Sequence, residues 1–458
     1  MSRREFLTAT AGAIGAGAAA GCARSTRPEH NPSGQGDRPP DTKSVLIIGA
    51  GMAGLSAAGS LVDAGWPVRL LEARDRIGGR VCTTRDWGYP LEMGASWIHG
   101  TKENPLDELA KRAGAQTSAT DYYTPSRIAI DSALGSLNYR QKTWRRFVEQ
   151  ARDQVDGGSL ASAIDAAATS AELSDSDRAQ LSFYVNAEIE DEYAADASQL
   201  SAATFDHGKY SGGDQVVITN GYDAVPKLVA EGLDITLNTP VAVVERGDKS
   251  VTVRAGNRSF EGPAAIVTVP LGVLKSGAIT FDPPLPDGHA RALRALGFGV
   301  LSKTYFRFGR RTWTAENAFY EFLGARPGKW AQWLTLPSAA GPIVLAFNAG
   351  ERGRSVETSP PAELMADALP IARLLFGADI EPVAARASAW STDPYALGSY
   401  SFHAVGSGLD DRRRLQEPIS DRLYLAGEAV GVDNPSTVHG ALLSGQRAAA
   451  QLMRRLGS

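Results

Sequence analysis

Residues Val45 to Glu72 place a buried strand, a glycine loop, a helix and a second strand within one short segment. The continuous apolar run Val45–Ile48 suits a strand covered on both faces in a parallel sheet. It leads directly into Gly49-x-Gly51-x-x-Gly54 and an alanine-rich helix. A second run, Val68–Leu71, ends on Glu72 at the spacing of a dinucleotide site. Gly49 permits the tight turn, Gly51 lets the backbone approach a pyrophosphate, and Gly54 lets helix and strand pack closely. The orphan N–H groups and dipole of the helix start, at Met52 and Ala53, favour phosphate. Glu72 can accept from both ribose hydroxyls. The whole unit is what makes the reading specific, since an isolated glycine pattern occurs in many tight loops.

The continuation, Ala73-Arg74-Asp75-Arg76-Ile77-Gly78-Gly79-Arg80, can bring guanidinium groups and bare backbone to the phosphates and flavin of a long cofactor. With this run the chain resembles the flavin-containing amine oxidases, in the branch of polyamine oxidases and the lysine-specific histone demethylase. The resemblance covers essentially everything after residue 43. It implies a discontinuous α/β Rossmann-type FAD-binding domain with an inserted α+β substrate-binding domain. The expected division is 43–120, 204–285 and 390–458 for FAD, and 121–203 with 286–389 for substrate.

Further runs carry the resemblance. Leu91-Glu92-Met93-Gly94-Ala95-Ser96-Trp97-Ile98-His99-Gly100 is similar to the flavin-facing loop of polyamine oxidases, with His99 near the substrate cleft. Lys303 falls in an apolar strand-like segment, where a lysine is costly to bury without a task or partner. By motif position it matches the family lysine that holds a water near flavin N5. In Trp390-Ser391-Thr392-Asp393-Pro394-Tyr395-Ala396-Leu397-Gly398-Ser399-Tyr400, Ser399 stands where monoamine oxidases carry the cysteine bonded to flavin. Serine cannot form that thioether, so FAD is expected to be non-covalent. Tyr400 matches an aromatic wall, and Trp390 is expected to pack on the cofactor. In the last motif Gly427 allows close approach and Glu428 accepts from a cofactor hydroxyl. A helix from about Ser436 aims its start, Thr437 and Val438, at the flavin. Thr437 replaces a second aromatic wall and opens the cleft. His439 reads as packing.

The resemblance therefore assigns Gly49, Gly51, Met52, Ala53, Gly54, Glu72, Ala73, Arg74, Gly79, Arg80, Gly94, Ala95, Ser96, Trp97, Val241, Trp390, Gly427, Glu428, Thr437 and Val438 to the cofactor. Trp97, His99, Tyr400 and Thr437 face substrate, and Lys303, Tyr400 and His99 are the catalytic candidates. The implied reaction moves a hydride from the α-carbon of a polyamine or other primary or secondary amine to flavin N5. It gives an imine, then an aldehyde, and H2O2 with O2. An L-amino acid oxidase is the nearest alternative and would need an arginine for the carboxylate. A cell-envelope flavoprotein acting as dehydrogenase, desaturase or electron carrier is the other.

Elsewhere the sequence narrows partners and location. Net charge is −4 and no basic stripe is present, which argues against nucleic acid. The cysteines are Cys22 and Cys82, without a C-x-x-C, so neither a disulfide framework nor a metal site is supported. No apolar run reaches membrane-spanning length. Ser2-Arg3-Arg4-Glu5-Phe6-Leu7 matches a bacterial twin-arginine signal, followed by an Ala/Gly stretch. Ala19-Ala20-Gly21-Cys22 resembles a lipoprotein cleavage box with Cys22 lipidated, although Ala19 replaces the usual leucine; cleavage after Ala23 is the other reading. Residues 1–23 are thus a signal peptide and 24–42 a flexible tether, which implies export to the cell envelope.

The rest is read as helices at Asn104–Ala113, Arg140–Val155, Ala171–Ala195 and Ala362–Phe376. A meander-like set of strands is expected at Ile235–Leu237, Val241–Val244, Val251–Arg254 and Ala265–Val269. A second group comprises Leu301–Phe308, Phe319–Leu323, Trp330–Thr335 and Ile343–Asn348, and Arg422–Leu425 precedes the final helix. Glu188, Glu190, Asp191, Glu192 and Asp196 form an acidic cluster, read either as an attractor of polyamine cations or as a solvated face.

Overall fold

In the computed structural model, residues 43–457 are described, Tyr123 excepted. The segments expected as signal peptide and tether, with Cys22, lie outside them. Five short strands form an entirely parallel sheet in the order Leu423–Leu425, Ala265–Val267, Val45–Ile48, Val68–Leu71, Ile235–Thr236. Distant stretches of chain therefore build one sheet. Its order reverses at Val45–Ile48, so the crevice at the carboxyl end of that strand is the natural ligand site.

Helix Met52–Asp63 leaves this crevice and packs along the final helix, Val438–Leu456. The two backbones come close because both contact residues are small. A Cβ on Gly445 would lie 2.1 Å from the Ala53 carbonyl oxygen, and Ser56 Oγ donates to the Leu442 carbonyl at 2.8 Å.

The expected meander is divided between two sheets. Ile235–Thr236 and Ala265–Val267 belong to the parallel sheet, whereas Val243–Arg246, Val251–Ala255, Arg258–Gly262 and Thr280–Asp282 form a separate four-stranded one. Local alternation marks a strand but does not name its partner. The strand expected from Val241 begins at Val243, which leaves Thr239 to Ala242 as a loop.

A six-stranded sheet runs in the order Pro382–Ala387, Leu301–Phe308, Ile343–Ala349, Gln332–Thr335, Phe319–Leu323, Arg127–Ile130. Trp330 and Ala331 fall outside their expected strand, with Trp330 in the left-handed region at φ +67°. Its far face packs an aromatic core of Phe306, Phe308, Trp330, Trp333 and Phe376 under helix Pro361–Phe376. A three-stranded sheet of Trp97–His99, Gln215–Ile218 and Thr117–Ala119 lies beside the near face.

The single helix expected over Ala171–Ala195 is broken up. Leu160–Ser170, which precedes that range, is a separate helix; within the range Ser174 caps Asp175–Tyr184, and the chain then widens into a π-helical turn, Val185–Glu190. It ends after Asp191–Tyr193 with Ala194 at φ +58°. Among the described residues no helix is long and apolar enough to cross a membrane.

Candidate active site

A cavity of about 680 Å³ runs from the parallel sheet's crevice to the six-stranded sheet. At the crevice, Gly49 stands at φ +105°, and a Cβ there would meet Thr268 Oγ1 at 2.8 Å. Gly51 lines the cavity, and its missing side chain would project into open space. Gly54 does not reach the wall: a Cβ on it would lie 1.9 Å from the Gly49 carbonyl oxygen. Its part is to let the helix sit on the loop. Buried Glu72 accepts from the backbone N–H of Ala50 at 2.7 Å and of Arg74 at 2.9 Å, which aims its carboxylate along the wall.

This half of the cavity fits a dinucleotide. It offers a bare backbone at Gly51, a helix N-terminus at Met52 and Ala53, and an acid at the end of the second strand. Ala73, Gly79 and Val241 complete it. The arginines expected at the phosphates and ring are both on the wall, each tied to a carboxylate. Arg74 makes a bidentate pair with Asp393 at 2.7 and 2.8 Å. Arg80 donates to Glu428 at 2.9 Å and to the Ser399 carbonyl at 2.8 Å. Burial works to raise the Glu428 carboxyl, yet Arg80, Ser401 and Arg412 together hold it below the usual range.

The middle of the cavity is the loop Gly94–Trp97 facing Lys303. A Cβ on Gly94 would lie 1.8 Å from the Arg80 carbonyl oxygen and 3.1 Å from the Trp390 ring, so the loop, the arginine segment and the tryptophan fit only with glycine there. Trp390 Nε1 donates to the Met93 carbonyl at 2.8 Å. Lys303, 4% exposed, donates to Ser96 Oγ at 2.5 Å, to the Gly94 carbonyl and to the Glu92 carbonyl at 3.3 Å. Burial pushes its ammonium down to about 7, against the pull of the Glu92 carboxylate. Burial pushes Glu92 up, although Tyr222 N–H and Thr83 donate to it and Lys303 pulls the other way. The low-dielectric surroundings thus drive both groups toward neutrality.

Ser399 presents a hydroxyl that bonds to the Leu301 backbone, accepting from its N–H at 2.9 Å. Thr437 caps the final helix by accepting from Gly440 N–H at 2.9 Å. Thr437 and Val438 therefore present that helix's start to the cavity, beside Gly427. His439 is buried.

Beyond Lys303 the walls become aromatic. Trp97 stacks near His99 (ring centres 6.4 Å apart) and lies within 6.0 Å of Phe347 and 5.8 Å of Tyr122. His99 Nδ1 pairs with Gln215 Oε1 at 3.0 Å. The Tyr400 hydroxyl holds the helical turn that follows the π-helical segment, where Asp191 and Glu192 line the cavity. The acidic cluster is accordingly not a solvated face. Glu188, Glu190 and Asp191 are buried, Glu188 accepts from Gln141 at 3.1 Å, and Glu190 pairs with Arg352.

Tyr122, Gln215, Phe319, Gln332 and Phe347 line the site and were not singled out from sequence. For the strand residues the available signal was alternation: Phe319 and Phe347 share the face of Lys303, but such residues read as core until the cavity is seen. Among the described residues no group of His, Cys, Asp or Glu is placed to hold a metal ion.

A family model described as flavin containing amine oxidoreductase matches residues 52–453. Polyamine oxidase 2 of Arabidopsis thaliana is 34% identical over 440 residues, covering 90% of this chain and 88% of that protein. Lysine-specific histone demethylase 1 homolog 3 of Oryza sativa subsp. indica is 33% identical over 435 residues, covering 89% of this chain and 54% of that longer protein. Among solved structures, a wild-type putrescine oxidase bound to putrescine matches with a TM-score of 0.72 at 22% identity, covering 91% of this chain and 100% of that one. At that identity the likeness speaks for the fold.

Proposed function

This chain belongs to the flavin-containing amine oxidoreductases, and from that premise we propose that its substrates are polyamines or related amines with more than one nitrogen. It is an FAD-dependent amine oxidase. The observation that carries the substrate reading is the charge on the cavity wall. Asp191 and Glu192 line the substrate half, while the only guanidinium groups lining the cavity among the described residues, Arg74 and Arg80, are paired with Asp393 and Glu428. Such a wall favours cations and offers no arginine for an amino acid's carboxylate. An L-amino acid oxidase is disfavoured on that ground. The likeness to Polyamine oxidase 2 supports the same choice.

Bound FAD would supply the two-electron chemistry that couples oxidation of the amine to reduction of O2 to H2O2. Gly49, Gly51 and the helix start at Met52 would take its phosphates, Glu72 its ribose, Glu428 a further hydroxyl, and Gly94–Trp97, Trp390, Thr437 and Val438 its ring system. Lys303 holds a proton at Nζ beside that loop and supplies positive charge where oxygen is reduced. Tyr400 and Trp97 exclude water and orient the amine through their faces. His99, fixed by Gln215 through Nδ1, lines the cleft.

The proposal extends to the chain's organisation and location. FAD is assigned to 43–120, 204–285 and 390–458, and substrate to 121–203 and 286–389. The twin-arginine motif at Arg3-Arg4 supports a bacterial, exported protein, and the box ending at Cys22 supports a lipid anchor; the mass of the mature N-terminus separates lipidation at Cys22 from cleavage after Ala23.

The test is anaerobic flavin bleaching by a panel of polyamines, diamines, monoamines and L-amino acids, with peroxide measured on readmitting air. Bleaching by polyamines with peroxide is expected. Bleaching by L-amino acids alone overturns the substrate reading.

A further inference from the structure

One row of side chains crosses the near face of the six-stranded sheet. Lys303 stands directly opposite Phe347, Phe347 opposite Gln332, and Gln332 opposite Glu321. Directly opposed residues in antiparallel strands point to the same face, and Lys303, Phe347 and Gln332 all line the cavity. Two strand spacings of about 4.8 Å put Gln332 roughly 10 Å from Lys303 along the row.

The chemistry along the row alternates. Lys303 marks the reacting end. Phe347 follows, with Trp97 at 6.0 Å and Phe319 at 6.3 Å between ring centres, forming an apolar slot. Gln332 closes it, with Glu321 behind; each is 3% exposed.

The orientation of the Gln332 amide follows from its partner. Glu321 Oε1 lies 2.9 Å from Gln332 Nε2. A carboxylate only accepts, so the NH2 group faces Glu321 and the amide oxygen is turned away from it. Among the described residues that oxygen has no protein partner. A carbonyl oxygen presented to a cavity, with a carboxylate polarising the same amide from behind, is an acceptor for N–H donors.

We propose that Gln332, positioned by Glu321, is a specificity-determining residue that receives the second nitrogen of the substrate while the intervening methylenes lie on Phe347. The polar–apolar–polar row then matches an amine–alkyl–amine molecule, and its length selects the spacing between the nitrogens. Gln332 touches substrate; Glu321 acts through it. The inference rests on the reading of this enzyme as one for amines with more than one nitrogen.

The experiment uses the holoenzyme with its flavin pre-reduced, so that binding is read without turnover. Calorimetric dissociation constants are measured for 1,4-diaminobutane and for 1-aminobutane, in wild type and in Gln332→Leu, Gln332→Met and Glu321→Gln. Saturating rates of anaerobic bleaching are measured on the oxidised forms. In both Gln332 variants the ratio of the diamine to the monoamine constant is expected to rise roughly tenfold, about the value of one hydrogen bond to a charged donor. Glu321→Gln, which frees the amide to turn, raises it less. The saturating bleaching rate with the diamine changes less than its affinity. A wild type that binds the diamine, with variants whose ratio is unchanged or whose losses are equal for the two amines, overturns the role of Gln332 and leaves the polyamine reading standing. A wild type bleached by 1-aminobutane but by no diamine or polyamine overturns both.

Discussion

The Tyr400 hydroxyl shares its one proton between the backbone carbonyls of Asp191 and Glu192, at 3.1 and 3.0 Å. The side chain expected to be an aromatic wall thus also pins to the cavity the acidic helical turn that follows the π-helical segment. Widened turns of this kind recur at functional sites because they re-aim side chains that an α-helix would place elsewhere. Tyr400→Phe keeps the ring and removes both bonds. Losing roughly 1 kcal/mol of positioning should raise the apparent dissociation constant for spermidine about fivefold. The limiting rate of anaerobic flavin bleaching should fall less. Equal effects on affinity and limiting rate would assign the hydroxyl to the chemistry instead.

Lys303 is the group whose charge changes within the working range. Its ammonium is pushed down to about 7 by burial, with Glu92 opposing, so it is charged below that pH and neutral above. Reoxidation of reduced flavin by O2 should therefore slow as pH rises through 7. Lys303→Met should lower that rate by about a hundredfold, the usual scale for one electrostatic donor, and abolish the inflection while FAD stays bound. Glu92→Gln removes the stabilising carboxylate and should move the inflection to lower pH. Stopped-flow reoxidation across pH 5.5–9 reads all three, and a flat profile in the wild type counts against the role of Lys303.

His403 gives the fold a defined acid weakness. Arg412 Nε donates to His403 Nε2 at 2.8 Å, so that nitrogen is unprotonated and Nδ1 carries the hydrogen toward the Thr204 carbonyl, also at 2.8 Å. Burial, then the Arg412 charge, hold the ring down to about 4 from its ordinary 6.5. Between those values the unfolded chain takes up a proton that the folded one refuses. Stability is therefore lost as pH falls from 6.5 to 4 and levels off below, by up to about 3 kcal/mol. His403→Gln should flatten that segment of a urea-midpoint profile while lowering stability at pH 7 by about 1–2 kcal/mol. An unchanged slope would place the acid sensitivity elsewhere.

What could be read from the residues alone followed the physics of each segment. The glycine loop and its flanking strands were legible because sterics leave few residue types able to make that turn. Lys303 was legible because a charge in an apolar strand is conspicuous, and strands Leu301–Phe308 and Phe319–Leu323 fall where alternation put them. The π-helical turn was not legible: Val185–Glu190 has ordinary helix formers, and the extra residue in the turn is set by what packs on it. Nor were the partners of Ile235 and Ala265, since pairing between distant strands leaves no local mark. Gln332 was missed for a related reason, its cavity-facing oxygen being defined only by Glu321 on the next strand.

The glycine loop separates two kinds of loss. A methyl on Gly51 meets no protein atom within 4 Å and projects into the cavity where the cofactor would lie, whereas one on Gly54 meets the Gly49 carbonyl oxygen at 1.9 Å. Gly51→Ala should leave the cofactor-free protein folded, with a cost of about 1 kcal/mol or less because the residue caps the helix, and yet weaken FAD binding by at least tenfold. Gly54→Ala should damage both, since the helix must move off the loop before any ligand arrives; a loss of about 2–3 kcal/mol is the scale of such overpacking. Urea unfolding of the cofactor-free forms, paired with flavin titration by fluorescence quenching, distinguishes the two positions. If Gly51→Ala bound FAD as wild type does, the backbone there would not be the surface on which the phosphates rest.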